Sequence, residues 1–331
     1  MEYTKHNHPK LYTILTLVAC LCLAFYLFRS ALPDLFSAVM AFPFEPVGLL
    51  LRAMSLSGTV GNVLAILLYL LIGLLPVGML LWIRRKRKLC LEDLLLAVLS
   101  PVLFLTIYLM INPGLMGQWM GAVFGISGGL AVGKALLSGA VYSVLLSYVI
   151  LRFLRRAEAA DTGTLQGYLR RVLYLTAMIL VFAVFQSGVG GFLEARGVIA
   201  AANQGSESGL TMTYLFLALR YGVAVIPLLA DVLVVTGALE LLDALSQKGY
   251  AEASVEAAGR LACRCKQALA VTVLSNTVFN LVQLLCARFL RDVHGNIEIP
   301  VLSIAFVLAA LLLARLIRDN KQLQEDNDMF I

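Results

Sequence analysis

Long apolar runs, separated by short clusters of basic residues, dominate the chain from end to end. Read in windows of about 19 residues, they predict spans at 11–28, 60–83, 94–111, 130–151, 172–189, 214–239, 268–287 and 299–317. A helix of about 20 apolar residues crosses a bilayer, so the pattern predicts an all-α polytopic transmembrane bundle of about eight spans. Two further stretches, 31–51 and 113–133, are too apolar for ordinary loops. The first carries Pro33, Pro43 and Pro46 with Asp34 and Glu45, which excludes one straight spanning helix and predicts an interfacial or re-entrant hairpin. The second holds Gly117, Gly121, Gly125, Gly129 and Gly133, spaced four apart. In one helix that spacing makes a bare ridge for close helix packing, and it predicts a partly inserted helix leading into the fourth span.

Composition agrees with a membrane solvent. The 331 residues are 60% hydrophobic and only 14% charged, with mean hydropathy +0.88. Soluble domains average about 45–50% apolar and about 25% charged, so a water-soluble enzyme is excluded. The net charge of +6 reads as topology rather than as a nucleic-acid footprint, because short cytoplasmic loops accumulate Lys and Arg. With the N-terminus inside, the cytoplasmic segments collect Lys5, Lys10, the run Arg84-Arg85-Lys86-Arg87-Lys88, Arg152, Arg155, Arg156, Arg170 and Arg171. They also collect Lys248, Arg260, Arg264, Lys266, Arg315, Arg318 and Lys321. Both termini are then expected in the cytoplasm and the protein in a bacterial cytoplasmic membrane. Leu17-Val18-Ala19-Cys20 resembles a bacterial lipobox, but the apolar run continues past Cys20, which predicts an uncleaved first span. The six cysteines lie mostly in apolar runs or expected cytoplasmic loops and imply no disulfide framework.

The polar segment 152–171 divides the chain into two four-helix halves, 1–156 and 172–331, joined by a cytoplasmic linker at 157–171. Each half repeats the same in-and-out order, a symmetry that transporters often show, although no residue-level repeat accompanies it. Toward the C-terminus, Lys248-Gly249-Tyr250, Ser254-Val255-Glu256 and Arg260-Leu261 read as an inside loop. The chain stops at Leu323-Gln324-Glu325-Asp326-Asn327-Asp328-Met329-Phe330-Ile331. This second half resembles an uncharacterised bacterial family of four-helix membrane proteins, a domain of unknown function whose chains end in Leu-x-x-Glu-x-Asp-Leu-Thr-aliphatic. It departs from that pattern at Met329, Phe330 and Tyr250. The resemblance implies no enzymatic activity and a small cytoplasmic regulator as partner.

Chemistry inside the spans is sparse. Arg220 and Asp231 share the sixth span, about 16 Å apart along its axis, with Pro227 between them. Ionisable residues in a membrane are costly and are by default functional candidates. On the seventh span Thr272, Asn276, Asn280 and Gln283 recur at helical spacing, and a polar stripe in lipid must face protein or water. Counting inward from the span ends predicts Asp231 beside Asn276 and Arg220 beside Gln283, either as interhelical bonding or as a polar path. Gly125-Ile126-Ser127-Gly128 resembles the Gly-x-Ser-Gly motif of rhomboid intramembrane proteases. Such a serine needs a base within the membrane, and His6, His8 and His294 fall in aqueous segments, so Ser127 reads as a packing residue. Cys263-Arg264-Cys265 lacks the further ligands of a tetrahedral metal set.

The sequence therefore predicts no cofactor, no metal, no catalytic site and no direct nucleic-acid binding. It predicts a non-enzymatic regulatory or assembly component, in contact with membrane lipid, with a cytoplasmic partner or a second copy of itself. The competing expectation is a secondary transporter with a polar path between spans six and seven.

Overall fold

The computed structural model describes residues 9–28, 35–124, 130–203, 210–248, 252–286 and 301–328, and every element among them is helical. Seven helical stretches among the described residues are long and apolar enough to cross a membrane. The eighth expected span, 299–317, overlaps the start of a further helix, Val301–Asp328, where every side chain before 308 lies outside the described set. Large apolar side chains are exposed along these helices, for example Leu64, Leu67, Leu71 and Leu74. So wide an apolar surface in water would drive aggregation, and the chain is a multi-pass membrane protein.

The molecule divides into two compact units, Arg29–Ala160 and Met1–Phe28 with Asp161–Ile331. The first contains α2 (Leu35–Ala41), α3 (Phe44–Leu56), α4 (Thr59–Lys86), α5 (Leu94–Ile111), α6 (Pro113–Phe124) and α7 (Leu130–Glu158). Within the segment expected as a hairpin, 31–51, the described residues form α2 and the start of α3, broken at Phe42 and Pro43. α5 is central, with α3, α4, α6 and α7 all packed on it. Its Leu96, Leu99, Leu103 and Ile107 build the core with Phe44, Leu51 and Val141. α4 runs antiparallel to α5: the Ser100 hydroxyl donates to the Gly73 carbonyl at 2.5 Å and the Tyr69 hydroxyl to that of Phe104 at 3.1 Å.

The second unit contains α1 (Pro9–Phe28), α8 (Thr162–Phe185), α9 (Gly191–Ala202), α10 (Thr211–Lys248), α11 (Glu252–Leu285) and α12 (Val301–Asp328). Here the structure departs from the expected halves, because α1 groups with the later helices. Leu11 and Leu15 bury against Ala177 of α8 and Val235 and Leu239 of α10. An apolar helix carries no label for the neighbour it will pack against, so sequence order could not reveal this. α8 and α9 form one continuous rod through a π-helical turn at Gln186–Gly190.

Two expected loops are helices. The linker at 157–171 shrinks to three residues, the last of which, Asp161, caps α8 by accepting the Thr164 N–H at 3.2 Å. The inside loop after Lys248 becomes the amphipathic start of α11. There Ala257, Ala258, Leu261 and Cys265 bury toward α10 and α12 while Glu252 and Glu256 stay exposed. Hydropathy averages over both faces of such a helix and so mistakes it for a loop.

Candidate polar sites within the two units

In the Arg29–Ala160 unit, the chain leaves α4 through its basic run and enters α5 through a single 3-10 turn, Leu91–Asp93. That turn buries two carboxylates. Asp93, 1% exposed, accepts the Cys90 N–H at 2.9 Å and an Arg87 N–H at 2.7 Å. Glu92 accepts from Arg155 at 2.8 Å and has Arg152 at 3.6 Å. These pairs bring the 84–88 run and the last turns of α7 to one end of the unit. Near the start of α7, Lys134 pairs with Glu45 of α3, close to the α2–α3 corner. Burying a carboxylate is tolerable only when it is paired and hydrogen-bonded, and here the guanidinium groups meet that need.

The thiol of Cys90 and one oxygen each of Glu92 and Asp93 lie within 4.8 Å of one another, which are metal-ligand types at metal-ligand spacing. Each of the three already accepts a hydrogen bond from an arginine. Arg87 donates to both Asp93 and the Cys90 sulfur, the latter at 3.1 Å, while Arg155 donates to Glu92. The arrangement is an internal ion-pair cluster, and the sequence reading missed it. Its signal was legible in Cys90-Leu91-Glu92-Asp93, where a side chain three residues after the cap can reach back to the cap N–H.

In the other unit, α10 is the central helix, flanked by α8, α9 and α11. Charged pairs close one end: Arg170 of α8 with Asp243, and Arg264 of α11 with Glu240, the latter at 3.1 Å. The same Arg264, with Leu261, lies against Gly237. These contacts fix the register of α10 on α11, and they correct the expected depths. With Gly237 level with Leu261 and Arg264, Asp231 sits about 10 Å along the axis from the level of Asn276. Arg220 falls about one turn short of Gln283, closer to the level of Asn280. The expected match counted from span ends, whereas the real helices continue to Lys248 and from Glu252.

The polar stripe itself turns toward protein. Gln283 is buried and Thr272, Asn276 and Asn280 are half-buried, whereas Val271, Val273, Leu274, Val278 and Leu281 on the remaining surface are exposed. Asp231 does the opposite. It is exposed, in the apolar stretch Leu228 to Leu233, and makes no ion pair or hydrogen bond among the described residues. Arg220 is half-buried, its guanidinium 5.8 Å from the ring centre of Tyr221. The structure thus separates the six candidates into a partly covered stripe and two charges that, among the described residues, do not pair with it.

A second feature went unpredicted. At the π-helical turn, the Tyr26 hydroxyl of α1 donates to the Gln186 side-chain carbonyl. Gly190 and Gly191 sit directly under the rings of Tyr26 and Tyr221, where no Cβ would fit. π-helical turns recur at functional sites, and Pro227 lies within two turns of Tyr221 on the helix facing this one.

Of the expected glycine ridge, only Gly117 and Gly133 have described surroundings. α6 and α7 are separate helices, Gly125 and Gly129 lie outside the described residues, and of Gly121 only the helical backbone is described. Gly133 is buried in α7, but a Cβ on Gly117 would meet only a Leu130 methyl at 3.9 Å. Close approach occurs instead at Gly48, against Met110, and Gly73, against Phe104. Ser127, His6, His8 and His294 also lie outside the described residues. Cys263 is exposed and Cys265 buried, on different sides of α11, and all six cysteines are free thiols. No family model, curated protein or solved structure matches this chain.

Proposed function

We propose that this protein is a non-enzymatic component of a bacterial cytoplasmic membrane, with both termini cytoplasmic, that assembles with a second membrane protein. Asp231 carries the reading. A charged group at a helix centre disfavours insertion by about 2.5–3.5 kcal/mol, and nothing within the described residues offsets that for Asp231. A hydrogen-bonding or basic group on a partner helix would. Ala224 lies two turns away on the same exposed side of α10, so the two define a strip for such a helix. The exposed acids at the start of α11 and the polar end of α12 offer a cytoplasmic regulator a second contact, as the tail resemblance implies.

The test places a photo-crosslinking benzophenone residue at Ala224 in intact membranes. The expected result is a discrete adduct of higher mass that disappears with Asp231→Asn. An adduct confined to this chain, or one indifferent to Asp231→Asn, overturns the reading.

A secondary transporter is the second reading, supported by the π-helical turn and Pro227, two helix irregularities brought close together. That reading requires Asp231→Asn to abolish uptake of a substrate by cells while leaving Ala224 adducts unchanged.

A further inference from the structure

The ion-pair cluster of the Arg29–Ala160 unit leaves a surplus. The segments 84–88 and 152–156 hold eight basic residues, and Glu92 and Asp93 engage Arg87, Arg152 and Arg155. Arg84, Arg85, Lys88 and Arg156 remain exposed, and none of their side chains makes an ion pair or hydrogen bond among the described residues. Because residues 92 and 93 are adjacent, the paired arginines hold the two basic segments side by side at one end of the unit.

Apolar side chains share that end. Leu91 is 83% exposed, Trp82 is 57% exposed with the Lys86 ammonium 3.9 Å from its ring centre, and Leu89 and Leu94 are exposed as well. Leu91 and Leu94 flank the buried Glu92 and Asp93, so the fold that hides the acids turns these leucines outward. A soluble anion or an acidic peptide has no use for them. A ligand with a phosphate and acyl chains uses both kinds of surface, and aromatic rings such as Trp82 sit by preference at headgroup level.

We propose that this end of the unit is a binding site for the headgroup of an anionic phospholipid. Arg84, Arg85, Lys88 and Arg156 hold the phosphate, and Trp82 and Leu91 lie along the upper acyl chains. The site differs from a single juxtamembrane basic run in needing both segments, and the buried carboxylates act as its positioning residues.

The full chain in phosphatidylcholine nanodiscs, titrated with a fluorescent cardiolipin, tests this. Each basic group near an anionic lipid surface contributes about 1 kcal/mol, equivalent to about a 5-fold change in affinity. Arg85→Gln and Arg156→Gln should each weaken cardiolipin by about 5-fold and their combination by about 25-fold. Arg52→Gln, an exposed arginine on α3, serves as the control and should change nothing. None of the three substitutions removes an ion pair, and Arg84→Gln with Lys88→Gln gives an independent second pair with the same expected loss. Loss with Arg85→Gln but not Arg156→Gln overturns the two-segment site. Unchanged affinity in all variants overturns the site altogether. Displacement of the lipid by millimolar inorganic phosphate shows a free-anion site and overturns the lipid assignment.

Discussion

Asp93 provides the sharpest energetic test, because its carboxylate is almost wholly buried while its partner Arg87 keeps 27% of its side chain exposed. Arg87→Met retains much of the apolar stem but leaves the carboxylate with only the Cys90 N–H. Stripping one partner from a buried pair costs about 3–5 kcal/mol, and the exposure of Arg87 puts this case near the low end, at about 3 kcal/mol. Asp93→Asn is milder, at about 1–2 kcal/mol, because the amide oxygen still accepts from Cys90 and the freed guanidinium can turn to water. With both changes the buried charge is gone. The double variant should therefore lose about 2 kcal/mol, well short of the sum of the single losses, with a coupling of about 2 kcal/mol. The assay is reversible unfolding in mixed micelles titrated with dodecyl sulfate, followed by far-ultraviolet circular dichroism. Additivity within about 0.5 kcal/mol would refute the claim that Arg87 neutralises Asp93.

The same unfolding assay reads three further outcomes. Gly73→Ala pushes a Cβ into the Phe104 ring and should destabilise by about 1–3 kcal/mol. Gly78→Ala on the same helix meets open space and should lose nothing; equal losses would mean that helix contact at Gly73 is not the cause. Tyr26→Phe removes the donor to Gln186, and an average membrane side-chain bond predicts a loss of about 0.6 kcal/mol. The loss should vanish in a Gln186→Leu background. The Thr164 side-chain and backbone bonds hold Asp161 below the usual carboxylate range. A group whose folded value is depressed stabilises above its unfolded value, near pH 3.9, and loses that contribution as pH falls through the folded value. Asp161→Asn should flatten the acid limb of the stability profile and leave stability above neutrality little changed, since Asn also caps well. An unaltered acid limb assigns the titration elsewhere.

Hydropathy located every helix among the described residues that is long and apolar enough to cross a membrane, because burial in lipid demands long apolar runs whatever the helices pack against. The runs starting at Leu94 and at Leu130 begin in the structure at those same residues. It failed where helices leave the lipid. Residues 252–266 alternate charged and apolar faces, so their mean polarity resembles a loop although their spacing is helical. The shortened connection then shifted the α10–α11 register, which displaced Asp231 from Asn276.

Composition and charge order alone determined that the chain crosses a membrane several times and that its stripe at Thr272, Asn276, Asn280 and Gln283 must face protein or water, since both follow from the cost of placing polar groups in lipid. Only the tertiary structure decided that α1 joins the C-terminal helices, that Asp93 and Glu92 are neutralised by arginines up to 63 residues away, and that Asp231 faces outward. Lipid makes every apolar helix face equally welcome, so which faces meet depends on the fit of particular side chains, such as Phe104 over Gly73, which a one-dimensional pattern does not encode.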